Sequence, residues 1–306
     1  MMTYEASLRI SSYVANIIAA GSAVPEITPE EILRARRDYS DEKLELLRAE
    51  GFYRGDFELF YVLFCFCKQI GLFAMADRDY LRRLFSQAKR FEAAFLTENP
   101  YVKSIRIRER RIGDFLLTES RYDRGEIFQF DMPPLRDEVV VPRLGFFSRQ
   151  VRFPAVYEGN IPWVSVCPSE ILSMERDISA AHGRVLVLGL GLGYYPFMVA
   201  KKGNSESITV IEKSPEIIRL FTEEILPYFP QRDRIRILCA DAFDYLKNAD
   251  PEAFDFCYAD IWEGAEDGAA AYLNILPYER AWKKCEFRYW IRDEILWYLE
   301  KKSRKA

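Results

Sequence analysis

The chain has 306 residues, 49% of them hydrophobic and 29% charged, with a formal net charge of −4; this is a globular composition, long enough for two domains. Such a charge gives no basic field to draw in nucleic acid. One histidine, His182, and six cysteines at 65, 67, 167, 239, 257 and 285 without a C-x-x-C argue against a histidine-based metal site or a Ser-His-Asp triad, and predict buried free thiols in a reducing cytoplasm.

Two apolar stretches bear on membranes. Tyr13 to Val24 is short and follows Glu5 and Arg9, so a signal peptide is not expected. Phe57 to Ala76 carries Glu58, Lys68, Gln69 and Gly71 and reads as a buried helix, not a span. Residues 1–100 are expected to form a helical region. Thr28-Pro29-Glu30-Glu31 is a capping box with proline at the first helical position, and Leu44 to Arg48 continue a helical pattern before Gly51 and Gly55. Phe57, Phe60, Tyr61, Phe64 and Cys65, then Leu81, Leu84, Phe85, Phe91 and Phe95, recur at helical spacing. Such stripes predict core. With no cluster of polar groups, the region is expected to be a scaffold, a lid or the surface of a homo-oligomer.

Residues 101–166 change period and predict a small antiparallel β unit. Ser104 to Arg108, Ile112 to Thr118 and Glu126 to Phe130 alternate, and Asp123-Arg124-Gly125 supplies a turn. Pro133-Pro134 and Pro142 interrupt the chain, after which Gly145 to Phe153 and Ala155 to Val166 are strand-like again.

Residues 167–306 predict a parallel α/β sheet. Cys167-Pro168-Ser169-Glu170 opens a helix that feeds into the apolar strand Val185 to Leu188, which reads as buried on both faces. Gly189, Gly191 and Gly193 follow at alternate positions, where backbone can approach a ligand, and Pro196 suits the first turn of a helix. A second strand, Ser207 to Ile211, ends in Glu212, about 20 residues past the turn, where a ribose-binding carboxylate is expected. Ser214 and Pro215 start the next helix; Arg234 to Cys239 and Phe254 to Ala259 are further strands, ending in Asp241 and Asp260. Glu266 to Leu276 and Glu286 to Lys301 read as helices, the second with Phe287, Trp290, Ile291, Ile295 and Tyr298 on one face. Three strands thus end in carboxylates at the edge where such sheets bind ligands.

A dinucleotide turn reads G-x-G-x-x-G, but its third glycine position here is Tyr194. The spacing G-x-G-x-G, with Glu212, Asp241 and Asp260 in order and the run Asp260-Ile261-Trp262-Glu263, resembles the class I S-adenosylmethionine-dependent methyltransferases, within them the spermidine-synthase-like branch. The resemblance covers residues 183–263 and implies a Rossmann-like sheet with helices on both faces, preceded by the helical region and the β unit. The stretch after Asp260 is short for strands five to seven of that family's sheet, and Ile261-Trp262-Glu263 stand where polyamine synthases carry serines and a second aspartate.

The resemblance implies S-adenosyl-L-methionine as cofactor and a transferase acting on a small-molecule acceptor. Glu212 would hold the ribose diol, Asp241 and the Ala242 N–H the adenine, and Gly189, Gly191 and Gly193 would leave room for the methionine portion. Asp241 also reads as a helix cap. Asp260 would lie nearest the reacting centre, with Glu263 in the same acidic loop; Trp163, Ser165 and Glu170 would approach the methionine end, although Glu170 also reads as an acid favourable to a helix N-terminus. Methyl transfer to a small molecule is the principal expectation. Aminopropyl transfer from decarboxylated S-adenosylmethionine and a non-catalytic cofactor-binding protein remain beside it. No metal, membrane or nucleic-acid partner is indicated.

Overall fold

Val185, Leu186, Val187 and Leu188 are at most 1% exposed, which fixes their strand as the middle of a sheet covered on both sides. In the computed structural model, which describes residues 8–10, 12, 27–72, 75–131 and 141–303, this strand is β8 (Gly183–Leu188). Its sheet also contains β9 (Ser205–Glu212), β10 (Ile235–Cys239), β11 (Phe256–Ala259) and β12 (Glu286–Tyr289), in the order β10-β9-β8-β11-β12, every pair parallel. The protein therefore carries a Rossmann-like α/β fold, and the strand order reverses at β8, a topological switch point.

Alternation decides which helices each face meets. Leu186, Leu188, Ile211, Cys257 and Ala259 share a core with α10 (Ala242–Asn248), α11 (Ala265–Ala281) and α12 (Arg292–Ser303). On the opposite face Tyr258 stacks on Tyr195 of α8 (Tyr194–Lys202), which follows α7 (Pro168–Ala180) and β8 in the chain. The amino end of the sheet is closed by a bidentate clamp, Arg184 Nε and Nη2 donating to Asp255 at 3.0 and 2.9 Å. That guanidinium and the Arg184 backbone N–H hold the Asp255 carboxyl down to about 2.

The chain divides into two compact units, one of residues 1–95 with 121–151, the other of 96–120 with 152–306. Three successive segments were expected instead; the strands at 128–131 and 143–147 return to the first unit because they pair there. Within that unit lie α1 (Pro29–Asp38), α2 (Asp41–Ala49), α3 (Phe57–Gln69) and α4 (Arg78–Gln87). The Thr28 capping box forms as expected, with reciprocal bonds to Glu31. The unit is not purely helical: β1 (Lys89–Phe91) runs parallel to β5 (Arg143–Phe147), which pairs antiparallel with β4 (Phe128–Asp131). Phe91 thus belongs to a strand, its ring over Gly145, where an added Cβ would lie 2.7 Å from it.

The second unit adds α6 (Pro100–Ser104), which follows the single-turn helix α5 (Ala94–Thr97). It also has a four-stranded sheet in the order β2-β3-β6-β7, made of Arg110–Ile112, Phe115–Tyr122, Val151–Glu158 and Ile161–Ser165, with β2/β3 and β6/β7 antiparallel. Ser104 to Arg108 form no strand; Asn99 caps α6 there by accepting from the Tyr101 N–H at 3.0 Å, and the helix takes Ser104. At the other end, Glu286 to Tyr289 are a strand, not the start of a helix, with Phe287 and Tyr289 buried on alternate positions. Cys239 is exposed, unlike the other cysteines, because β10 is an edge strand. Among the described residues no helix is long and apolar enough to cross a membrane. The stretches Tyr13 to Val24 and Pro133-Pro134 lie outside the described residues.

Candidate nucleotide site

The glycine turn leaves β8 at the switch point. Gly189 has φ 97° and Gly193 φ 72°, conformations that L side chains rarely adopt. A Cβ on Gly189 would sit 2.0 Å from the Asp260 carbonyl oxygen, and one on Gly193 2.2 Å from the Phe221 ring. Gly191, φ 52°, is different: its nearest neighbour would be Val164 of β7 at 3.4 Å. Packing thus requires the outer glycines, while the middle one keeps an open cradle. Tyr194, 7% exposed, takes a bond from Asn99 at 3.2 Å and meets the Tyr101 ring edge-on. A buried ring fills the position that a dinucleotide turn gives to glycine.

Three carboxylates end the strands beside this turn. Glu212 is 7% exposed; its Oε2 accepts from the Leu190 N–H at 3.1 Å and its Oε1 from the Ser214 N–H at 2.8 Å. Each oxygen retains a lone pair, enough for two hydroxyl donors. Asp241 caps α10, Oδ1 accepting from Phe243 and Asp244 at 2.8 and 3.1 Å. The cap leaves Oδ2 to a ligand, and Ala242 opens the helix with its N–H in the unpaired first turn.

Asp260 follows β11, and its N–H donates to the Leu188 carbonyl at 2.8 Å. Burial pushes its carboxyl well above the usual carboxylate range, and the charge of Glu170 adds to the rise. Glu170, in the first turn of α7, is itself pushed up by burial to about 7. Two carboxyls sharing a low-dielectric neighbourhood favour a proton or a cation over two negative charges. Glu263 is exposed, and its backbone N–H donates to Asp267, which caps α11.

Two residues beside the end of β11 were invisible as site residues in the sequence. Trp290 donates its backbone N–H to the Ala259 carbonyl at 3.0 Å, and its indole N–H to Ser173 of α7 at 2.9 Å. Tyr258 lies two residues before Asp260, a period-two relation that puts both side chains on one face. That spacing was the available signal. Among the described residues no group of three or more His, Cys, Asp or Glu side chains is arranged to hold a metal.

No family model and no curated protein matches the chain. Solved structures similar to it include three spermidine synthases. The enzyme from Thermotoga maritima matches at 16% identity and a TM-score of 0.29, over 40% of this chain and 49% of that one. A probable spermidine synthase from Corynebacterium glutamicum matches at 21% and 0.30, over 37% and 45%. A spermidine synthase in complex with the transition-state analogue AdoDATO matches at 17% and 0.29, over 40% and 48%. This chain spans about half the length of each. The chemistry of the site rests on its own residues.

Proposed function

We propose that the second unit binds S-adenosylmethionine and transfers its methyl group to a small-molecule acceptor bearing an amine or another cationic group. The observation that carries this reading is Glu212, a buried carboxylate tied to the Leu190 N–H under the glycine turn with capacity left for a ribose diol. Asp241 and the Ala242 N–H then offer the acceptor and donor that an adenine edge needs. Methyl transfer is an in-line displacement at carbon, so alignment of donor and acceptor supplies most of the acceleration. Asp260 and Glu170 supply negative charge for a sulfonium or an ammonium, and either carboxylate can take a proton from an attacking amine.

The same acidity favours a second reading. Two neighbouring carboxyls suit an ammonium and repel a carboxylate, so a decarboxylated donor ending in an amine alone fits them better. Aminopropyl transfer then replaces methyl transfer. Calorimetric titration with S-adenosylmethionine, S-adenosylhomocysteine, decarboxylated S-adenosylmethionine and NAD separates these readings. The methyl reading expects S-adenosylmethionine to bind and NAD to fail; tighter binding of the decarboxylated donor selects aminopropyl transfer; binding of none removes the nucleotide site.

Asp260→Asn refines the assignment. Shape is nearly conserved, so the fold is expected to survive. Weaker sulfonium binding would pair Asp260 with the donor, whereas normal donor affinity with lost turnover would pair it with the acceptor. A variant normal in both would take Asp260 out of the chemistry.

A further inference from the structure

Most amides of the glycine turn already have an acceptor. The Gly189 N–H donates to the Ile211 carbonyl at 2.9 Å, the Leu190 N–H to Glu212 at 3.1 Å and the Gly193 N–H to the Leu190 carbonyl at 2.8 Å. Among the described residues no acceptor meets the N–H of Gly191 or of Leu192. Two adjacent donors thus stay open beside the cradle, on a stretch where glycine gives the backbone freedom to turn them elsewhere.

The restraint on that stretch comes from 91 residues earlier in the chain. Tyr101 of α6 is fully buried, and its hydroxyl donates to the Leu192 carbonyl at 2.5 Å. The peptide joining Leu192 to Gly193 is therefore held at both its polar groups, the carbonyl by Tyr101 and the N–H by Leu190. The Tyr101 ring is itself fixed, edge-on to Tyr194 and Phe197 of α8 at 5.5 and 5.3 Å. Asn99, the cap of α6, donates to the Tyr194 hydroxyl at 3.2 Å, so the same short segment grips the residue that follows the turn. Burial pushes the Tyr101 phenol up, which keeps it a donor throughout the neutral range.

We infer that Tyr101 is a positioning residue for the ligand site, its hydroxyl holding the Leu192–Gly193 peptide so that the open Gly191 and Leu192 N–H groups are set before a ligand arrives. The inference rests on the adenosyl-donor reading only for the identity of the ligand. A turn with three glycines that was free until binding would lose its freedom on binding, and that entropy subtracts from affinity. The bond to Tyr101 removes the freedom during folding instead.

The test compares Tyr101→Phe with Tyr289→Phe in the full chain. Each deletes the hydroxyl of a buried ring and keeps the ring; that of Tyr289 donates to Glu279 at 2.7 Å, in the core shared with α10, α11 and α12. Amide hydrogen exchange, read by NMR on the ligand-free protein, is expected to quicken at Gly193 by about three- to tenfold in Tyr101→Phe, the equivalent of one neutral hydrogen bond. Tyr289→Phe should leave Gly193 unchanged, even where its overall loss of stability is the same. By calorimetry, Tyr101→Phe should bind S-adenosylmethionine and S-adenosylhomocysteine about three- to tenfold more weakly, with Tyr289→Phe unaltered. An equal change at Gly193 in the two variants, or a quickened Gly193 with normal affinity for both ligands, would overturn the inference. If Tyr101→Phe does not fold, Asn99→Ser replaces it: serine still caps α6, the bond to Tyr194 is lost, and exchange at Gly193 must again quicken. If the unsubstituted protein binds neither ligand, the donor reading fails, and exchange at Gly193 still decides whether Tyr101 holds the turn.

Discussion

Gly189→Ala is expected to be the most damaging single substitution in the second unit. The added methyl group would stand 2.0 Å from the Asp260 carbonyl oxygen, on a backbone with φ 97°. Backbone, unlike the end of a flexible side chain, cannot step aside without moving β11. Backbone strain and overpacking, each about 1–3 kcal/mol, give a loss of roughly 2–6 kcal/mol in a urea unfolding series. Gly191→Ala provides the contrast. Its methyl group meets only Val164 at 3.4 Å, so the cost is mainly the positive φ, about 1–2 kcal/mol. It is expected to fold and to lose ligand affinity by filling the cradle. Equal stability of the two variants would refute the separation between packing glycines and the open one.

Glu212→Ala has the second largest expected effect, because it acts on fold and ligand together. It leaves the Leu190 and Ser214 N–H groups without their acceptors. Bonds to a charged group are worth about 1.5–3 kcal/mol each, and the two will not add fully, so a loss of about 3 kcal/mol in unfolding is expected. Adenosyl-ligand affinity should fall by another ~10- to 150-fold, the equivalent of about 1.5–3 kcal/mol. Asp241→Asn makes the useful comparison, since asparagine caps helices as well as aspartate does. It should preserve stability and weaken only the ligand. Normal affinity in Glu212→Ala measured on the folded fraction would remove Glu212 from the site.

The sheet was legible because its signals are local and mutually consistent. Apolar runs end in Glu212, Asp241 and Asp260, and Ser214 caps its helix by accepting from the Ile217 N–H, with Pro215 at the first position. β12 was not legible. Four residues are too few to establish a period of two, and Phe287, Trp290, Ile291, Ile295 and Tyr298 match helical spacing across a strand, a turn and a helix. The turn itself has Ile291 at φ 45°, a conformation that no sequence rule expects of a β-branched residue. β1 escaped notice for a related reason: its partner, β5, lies some fifty residues onward, and only pairing makes Lys89–Phe91 a strand. Of the candidate site, the glycines and strand-end acids could be named from the sequence, whereas the approach of Glu170 to Asp260 depends on how α7 lies against the sheet.

The alternation of the two units along the chain has a consequence for synthesis. Residues 96–120 leave the ribosome between the two segments of the first unit. At about 5–20 residues per second, β1 waits roughly 3–10 s for β5 to emerge. Through that interval Phe91 has no Gly145 to cover, and a strand edge stays available to other chains. A chain beginning at Val102 would make half of this state permanent, since it lacks β1 from one unit and both Asn99 and Tyr101 from the other. It is expected to sediment after lysis, and a soluble product of normal stability would show that β4 and β5 need no third strand. For the whole protein, slower translation across residues 92–142 should lengthen the exposure and lower soluble yield, whereas slowing after residue 151 should not.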